Sequence, residues 1–400
     1  MTSVPENDAL PLAGLKVLDF TRVLAGPFCT AMFADAGAEV LKVEPFDGDD
    51  YRHMGFQVQG RSTNFAFVNR GKRSLRLNLK SPSARAVTDR LAGWADVVVE
   101  NFKPGVADRL GIGYGRLSTL NPGLVYCSIS GFGQQGVWAD RPAYDTIIQA
   151  LSGLMAANGH ADGPPTVVGE SLADVSAGMF GAWGVMAALW QRSRTGRGRH
   201  LDIAMYDCLV SMMPTLVSRV VAGGAACVRV GNRHLNSAPF GAFRAADGMY
   251  VLAVANHKLF QQLAQAMGQP GLAQDPRFAS NGLRKQNEAV LAELIERWSG
   301  AMGVAQTVAT LQEHEVPAAP VLDVRQSVAT PHAVQRGLVQ THALDGGATA
   351  CHVEQPVRFG EQPRRSTPAA PELGAHTQAT LQELGFAAQD IAAFEQEGLI

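Results

Sequence analysis

Leu15-Lys16-Val17-Leu18-Asp19-Phe20, a helically spaced apolar stretch over residues 28–36 closing on Gly37, and Glu39-Val40-Leu41-Lys42-Val43-Glu44 together decide the fold. The two flanking runs carry the β-branched and leucine content of strands. The middle stretch has apolar side chains at helical spacing and stops at a glycine suited to a left-handed cap. Strand, helix, strand within about thirty residues makes a βαβ unit, hence parallel strands joined by a right-handed crossover. Between strand and helix, Ala25-Gly26-Pro27 reads as a small-residue turn.

The same rhythm continues outward. Residues 74–79 alternate as a strand, residues 81–95 read as a helix with Ser81 at its N-cap, and residues 96–100 and 123–130 read as two more strands. A long helix is expected from residue 172 to about 192, breaking at Thr195-Gly196-Arg197-Gly198, with a further strand at 199–204 and a helix running past Leu209 and Met213. Beyond Gly223-Gly224-Ala225-Ala226 the pattern changes to a strand at 248–254 and helices at 257–267 and 285–302, then short strands and one final helix at 377–384. The predicted architecture is α/β. A large domain with an open parallel sheet, covered on both faces, is expected beside a smaller α+β domain. Four segments follow: a large domain over 1–200, a linker helix region over 201–225, a small domain over 226–325, and a C-terminal return over 326–400 that completes the large domain.

Composition narrows the function. Of 400 residues, 46% are hydrophobic and 18% charged, and Lys+Arg 34 against Asp+Glu 36 leaves a net charge of −2. A chain this size buries an ample core, and without a basic field it is no general nucleic-acid binder. Five scattered cysteines form no C-x-x-C pair, which points to reduced thiols rather than a disulfide framework or a zinc ribbon. Residues 1–8 lack the basic and apolar regions of a secretory leader, so a cytoplasmic protein is expected. Residues 175–190 carry no charge but are short for a membrane span and include Gly178, Gly181 and Gly184; a buried helix is expected there, and no membrane partner.

Motif tests are mostly negative. Gly71-Lys72 is followed by Arg73 and lacks the upstream glycine of a phosphate loop, no G-x-G-x-x-G follows the first strand, and no metal-ligand spacing occurs. Gly169-Glu170-Ser171-Leu172-Ala173 approaches a hydrolase nucleophile elbow, with His376 as a distant partner, but has Ala where the motif needs Gly. Asp174 stands near the start of the long helix. A first-turn carboxylate there caps or complements the helix dipole. The same position would keep it ionised, ready to attack an electrophilic carbonyl without a general base. Position alone serves both readings.

Several stretches together carry a family resemblance. Residues 18–27 (LDFTRVLAGP), Val43-Glu44, Asn69-Arg70-Gly71-Lys72-Arg73-Ser74, residues 99–105 (VENFKPG), Pro142-Ala143-Tyr144-Asp145, Asp174-Val175-Ser176-Ala177-Gly178-Met179 and Leu373-Gly374-Ala375-His376-Thr377 resemble, in order, the class III CoA-transferases of CaiB/BaiF type. The resemblance implies a Rossmann-like large domain, a small domain, and two chains interlocked as a homodimer. It also implies an enzyme that moves CoA from an acyl-CoA thioester to a carboxylic acid, with coenzyme A as substrate and neither a resident cofactor nor a metal. Asp174 aligns with the family's catalytic aspartate, forming an anhydride and then an aspartyl-CoA thioester.

CoA-contacting positions implied by the same resemblance are Leu24 and Ala25 after the first strand, Leu77 through Lys80 with Lys80 on a phosphate, Asn101, Phe102 and Lys103 at a strand end, and Arg109 as a second phosphate ligand. Tyr144 and Asp145 would lie near the thioester. The racemase branch of the family, acting on 2-methylacyl-CoA, has a histidine where Tyr144 stands. A tyrosine is a poor base at neutral pH, so transfer is favoured over racemisation, with His234 as a conceivable substitute base. Ala238-Pro239-Phe240-Gly241 lacks the glycine-rich loop of some formyl- and oxalate-transferring members, which disfavours that chemistry. Asn232-Arg233-His234 suggests a site for a second carboxylate, as in succinate.

Overall fold

The computed structural model describes residues 10–343, 349–359 and 367–400; residues 1–8, read above for a secretory leader, lie outside them. Two compact units form, one from Met1–Leu154, Val167–Gly224 and Pro331–Ile400, the other from Met155–Thr166 and Ala225–Thr330.

The larger unit is built on six strands: β1 (Lys16–Asp19), β2 (Glu39–Glu44), β3 (Arg73–Arg76), β4 (Val97–Glu100), β5 (Val125–Ser130) and β6 (His200–Ala204). All neighbouring pairs are parallel, and their order is 3-2-1-4-5-6. This is the strand order of dinucleotide-binding folds, with a crevice where the direction of winding reverses between β1 and β4. Alternate strand residues enter opposite cores. Leu18, Leu41 and Val98 pack on one face, while Val17, Val40, Val97 and Val99 pack on the other.

One face is covered by α1 (Ala25–Asp35) and α5 (Leu172–Thr195); α2 (Thr63–Asn69), α3 (Ala84–Trp94), α4 (Asp145–Ser152) and α6 (Met205–Ser211) occur between and after these strands. Close packing of α1 on α5 depends on Gly178. A Cβ there would lie 2.7 Å from the Ala25 carbonyl oxygen and 3.2 Å from the Cys29 amide nitrogen. The opposite face receives α3 and two C-terminal helices, α11 (Thr377–Glu383) and α12 (Ala388–Gln396), through Leu381, Phe386, Ile391 and Leu399. The C-terminal segment also binds the β3 edge: His376 N–H donates to the Ser74 carbonyl at 3.0 Å, and Arg76 N–H donates to Thr377 Oγ1 at 3.0 Å. A hairpin of β10 (Val339–Ala343) and β11 (Thr349–Val353) precedes it.

The smaller unit has an antiparallel sheet, order β9-β8-β7, from β7 (Phe240–Arg244), β8 (Met249–Ala253) and β9 (Ala318–Pro320). Helices α7 (His257–Ala266), α8 (Asn281–Gln286), α9 (Glu288–Ser299) and α10 (Val304–Glu313) accompany it around a core of Phe243, Tyr250, Phe260 and Leu291.

Five expectations are corrected. Ala25-Gly26-Pro27 is not a turn but the first turn of α1, where a proline's missing N–H costs nothing. Helix α3 begins at Ala84 after Ser83, and Ser81 Oγ accepts from Ser83 N–H at 3.3 Å instead of capping the helix. The helix expected over 285–302 is divided into α8 and α9 at Asn287 (φ −105°, ψ 25°). The chain ends on two helices rather than one. The apolar helix expected to be buried is buried on one face only: Met179, Trp183, Met186 and Trp190 remain exposed, with Trp183 71% exposed.

Candidate active site

The crevice at the β1/β4 switch holds a cleft of about 360 Å³. Arg22, Val23, Leu24 and Ala25 line it from the end of β1 and the start of α1, and Asn101, Phe102, Lys103 and Pro104 from the end of β4. Ser130 and Gly131 follow from β5, Arg141 and Tyr144 from the segment before α4, and Asp174 from α5. Six of the residues implied to contact CoA therefore share one cleft with Asp174: Leu24, Ala25, Asn101, Phe102, Lys103 and Tyr144.

The turn after β1 is fastened on several sides. The Asn101 side chain accepts from Arg22 N–H and donates to the Arg22 carbonyl, both at 2.8 Å. Asp49 Oδ1 accepts from Val23 N–H at 3.0 Å. Behind the turn lies a buried charged cluster. Lys72 Nζ donates to Asp19 Oδ2 (2.9 Å), Asn69 Oδ1 (2.8 Å) and the Pro27 carbonyl (3.0 Å). Lys42 Nζ contacts Asp49 Oδ2 at 2.9 Å and donates to the Thr21 carbonyl at 2.8 Å. Burial raises the Asp19 carboxyl, but Lys72, Lys42 and the Thr21 and Thr30 hydroxyls outweigh it and hold the group well below the usual carboxylate range. Burial lowers Lys72 to about 8 against the opposing pull of Asp19.

Asp174 lies in the first turn of α5, whose N-cap Ser171 makes no side-chain capping bond. The helix is capped from outside. Asp145, in the first turn of α4, accepts from Ala173 N–H through Oδ1 at 2.7 Å and from Gln149 Nε2 through Oδ2 at 2.6 Å. Gln149 in turn accepts from Val168 N–H at 2.9 Å. Burial, and then the negative charge of Asp145, push the Asp174 carboxyl up to about 7. At that value the helix N-terminus does not keep Asp174 fully ionised at neutral pH, because burial, joined by the like charge of Asp145, outweighs it. Among the described residues no cation pairs with Asp174.

The remaining candidates lie elsewhere. Leu77 is a core residue, 1% exposed and extending the β2 pairing through its N–H to the Glu44 carbonyl at 2.8 Å, so its side chain presents no surface to a nucleotide. Lys80 and Arg109 are exposed and do not line this cleft, while Asp145 sits buried behind it. Arg233 is occupied: its guanidinium donates to the Ala242 carbonyl, lies 3.7 Å from Glu296 and covers the Phe243 ring, so the second-carboxylate site expected there is not formed by a free cation. His234 Nδ1 accepts from Asn236 and Ser237 N–H groups, and its ring stacks on Phe240. No strand leads into Ser171, and His376 Nδ1 accepts from Ser74 N–H at the β3 edge, so the hydrolase elbow is not assembled. Arg141 was not singled out from sequence, although it directly precedes the Pro142–Asp145 motif; Arg22 lay inside a quoted motif without a role.

Comparison with known proteins gives a consistent result. The sequence model of CoA-transferase family III matches residues 12–377. The acetyl-CoA:oxalate CoA-transferase of Acetobacter aceti is 43% identical over 339 residues, covering 84% of this chain and 87% of that protein. The succinate–glutarate CoA-transferase of Agrobacterium fabrum is 36% identical, covering 96% and 98%. The crystal structure of a CaiB/BaiF family protein from Brucella suis superposes with a TM-score of 0.84 at 36% identity, covering 94% of this chain and 99% of that one.

Proposed function

Because the chain belongs to CoA-transferase family III, we propose that it exchanges CoA between an acyl-CoA and a dicarboxylic acid, with Asp174 as the nucleophile. The observation that carries the assignment is the placement of Asp174. It is a carboxyl without a cationic partner among the described residues, in a cleft at the switch point of a 3-2-1-4-5-6 sheet.

The chemistry proceeds by two anhydrides and one enzyme thioester. A carboxylate oxygen of Asp174 attacks the thioester carbonyl, the C–S bond breaks, and CoA leaves as thiolate with the acyl group on Asp174 as a mixed anhydride. The thiolate then attacks the aspartyl carbonyl carbon, which releases the donor acid and leaves CoA on Asp174. The acceptor carboxylate attacks that thioester, expelling the thiolate and forming a second anhydride. Attack of the thiolate on the acceptor's carbonyl yields the new acyl-CoA and restores the free carboxylate. One thioester is exchanged for another, so no phosphate donor is consumed.

Arg22, Lys103 and Arg141 bring positive charge to the same cleft. Some of that charge can meet CoA phosphates, and a carboxylate not being activated also needs a cationic partner. The two relatives described above are named for oxalate and for succinate and glutarate, all dicarboxylates. The former, at 43% identity, weakens the case against oxalate drawn from the missing glycine-rich loop. Racemisation finds less support, since Tyr144 is 75% exposed at the cleft and the His234 Nδ1 is already engaged.

The working form in this reading is an interlocked homodimer, as the resemblance implies. The row Met179, Trp183, Met186 and Trp190 on one face of α5 is apolar surface that a second chain would cover. The decisive test is Asp174→Ala assayed with acyl-CoA and a panel of dicarboxylates. Loss of transfer with CoA affinity retained supports the assignment, and continued turnover removes it.

A further inference from the structure

Val23 is a β-branched residue at φ +63°, a left-handed conformation that such side chains rarely adopt. It lies in the cleft wall, between two residues implied to matter for CoA on one side and Arg22 on the other. A strained residue in a ligand site persists only where its surroundings over-determine it. Here the surroundings are identifiable. Val23 N–H donates to Asp49 Oδ1, which also accepts from Tyr51 N–H at 3.0 Å, while Asp49 N–H donates to Glu44 Oε2 at 3.1 Å. Lys42, wholly buried, contacts Asp49 Oδ2 and at the same time binds the Thr21 carbonyl, so a single ammonium spans both ends of the strained turn.

We propose that Asp49 is a positioning residue of the cleft, holding Val23 in its left-handed conformation so that Leu24 and Ala25 face the bound CoA. This rests on the reading of the cleft as the CoA site. With valine rather than glycine at position 23, the shape of the turn is conditional: without an acceptor at Asp49, valine returns to the extended or right-handed region and the wall moves. Glycine would enter the same shape without the steric cost that valine bears.

That difference defines the experiment, a double-mutant cycle of Asp49→Ala and Val23→Gly read by CoA affinity and by amide hydrogen exchange over residues 21–25. Asp49→Ala alone is expected to weaken CoA binding about tenfold and to speed exchange at Val23 about tenfold or more. In the Val23→Gly background the same substitution is expected to weaken binding less than about threefold. Asp49→Asn, which keeps the Oδ1 acceptor, is expected to stay within about threefold of the parent affinity. Equal losses in both backgrounds, or unchanged exchange at Val23, would overturn the proposal. If Asp49→Ala is insoluble, a soluble Asp49→Ala/Val23→Gly protein supports it and equal insolubility of the two overturns it. A parent protein without CoA affinity would instead count against the functional reading, while the exchange measurement still decides the role of Asp49.

Discussion

The carboxylate of Asp145 accepts the N–H of Ala173 at 2.7 Å, so the residue immediately before Asp174 is capped by an acid from another helix. That contact anchors the first turn of α5 and sets a negative charge beside the cleft carboxyl. Burial first, and then that like charge, turn a helix-terminal aspartate, ordinarily stabilised as an anion, into one with a pKa near 7. A carboxylate of that basicity is a stronger nucleophile than a solvent-exposed one once it is deprotonated.

The pH profile follows directly. Attack requires the anion, so kcat/KM is expected to fall about tenfold per pH unit below about 7 and to level off above it. Asp145→Asn removes the like charge and is expected to move this acidic limb to lower pH. A limb that stays in place in Asp145→Asn, measured across pH 5–9, would contradict the electrostatic account.

The same shift has a cost in stability, with a definite sign. The folded-state pKa lies above the ordinary 3.8, so the contribution of Asp174 is fully present below pH 3.8 and is lost as pH rises through about 7. Asp174→Asn is therefore expected to be inactive yet more stable than the parent at pH 8, by on the order of 1–2 kcal/mol, with little difference at pH 4. Urea unfolding at the two pH values checks both the size and the direction.

Lys72→Met should be severe. It leaves the fully buried Asp19 without its closest cation while Thr21 and Thr30 still hold the carboxylate. Breaking such a pair from one side costs about 3–5 kcal/mol. A loss under about 1 kcal/mol in denaturant unfolding would show that Lys42 alone neutralises Asp19.

At Gly178, a methyl group would meet the Ala25 carbonyl oxygen at 2.7 Å. Gly178→Ala is expected to destabilise by about 1–3 kcal/mol through forced separation of α1 and α5. Because Ala25 also lines the cleft, KM for the acyl-CoA should rise in the same variant, and calorimetry with steady-state kinetics separates the two effects.

For the homodimer, Trp183→Glu places a charge in the exposed apolar row of α5. Analytical ultracentrifugation is expected to show a dimeric parent and a dissociated or aggregating variant. A monomeric, fully active parent would contradict the interlocked arrangement.

Much of the large unit was legible in the sequence because its strands are buried on both faces, and β-branched runs such as Val97-Val98-Val99 read clearly. Boundaries failed where local chemistry was ambiguous. Pro27 marks a helix start as readily as a turn, and α12 has only Ile391 and Phe394 as large apolar residues to announce its packed face. The cleft residues near Asn101 and Leu24 were implied by the family resemblance, and they lie at strand ends, where open sheets bind ligands. The core position of Leu77 was not legible locally, because pairing with β2 continues one residue past the strand and carries that side chain inward. The raised pKa of Asp174 had no local signal, since its causes, burial in the folded cleft and then the charge of Asp145 on α4, exist only once the chain has folded. Lys42, Asp49 and Lys72 left a trace in the form of charges within or beside apolar strands, but only their mutual distances reveal a network.

The central claim is that Asp174 carries the acyl group and CoA in turn, and the most direct test is to trap that intermediate. Enzyme mixed with an acyl-CoA in the absence of acceptor, quenched and digested, should show the aspartyl-CoA adduct, or its borohydride-reduced product, on the peptide containing Asp174 and on no other by mass spectrometry. An adduct on a different residue such as Ser171, or full turnover with Asp174 unmodified at every time point, would contradict it.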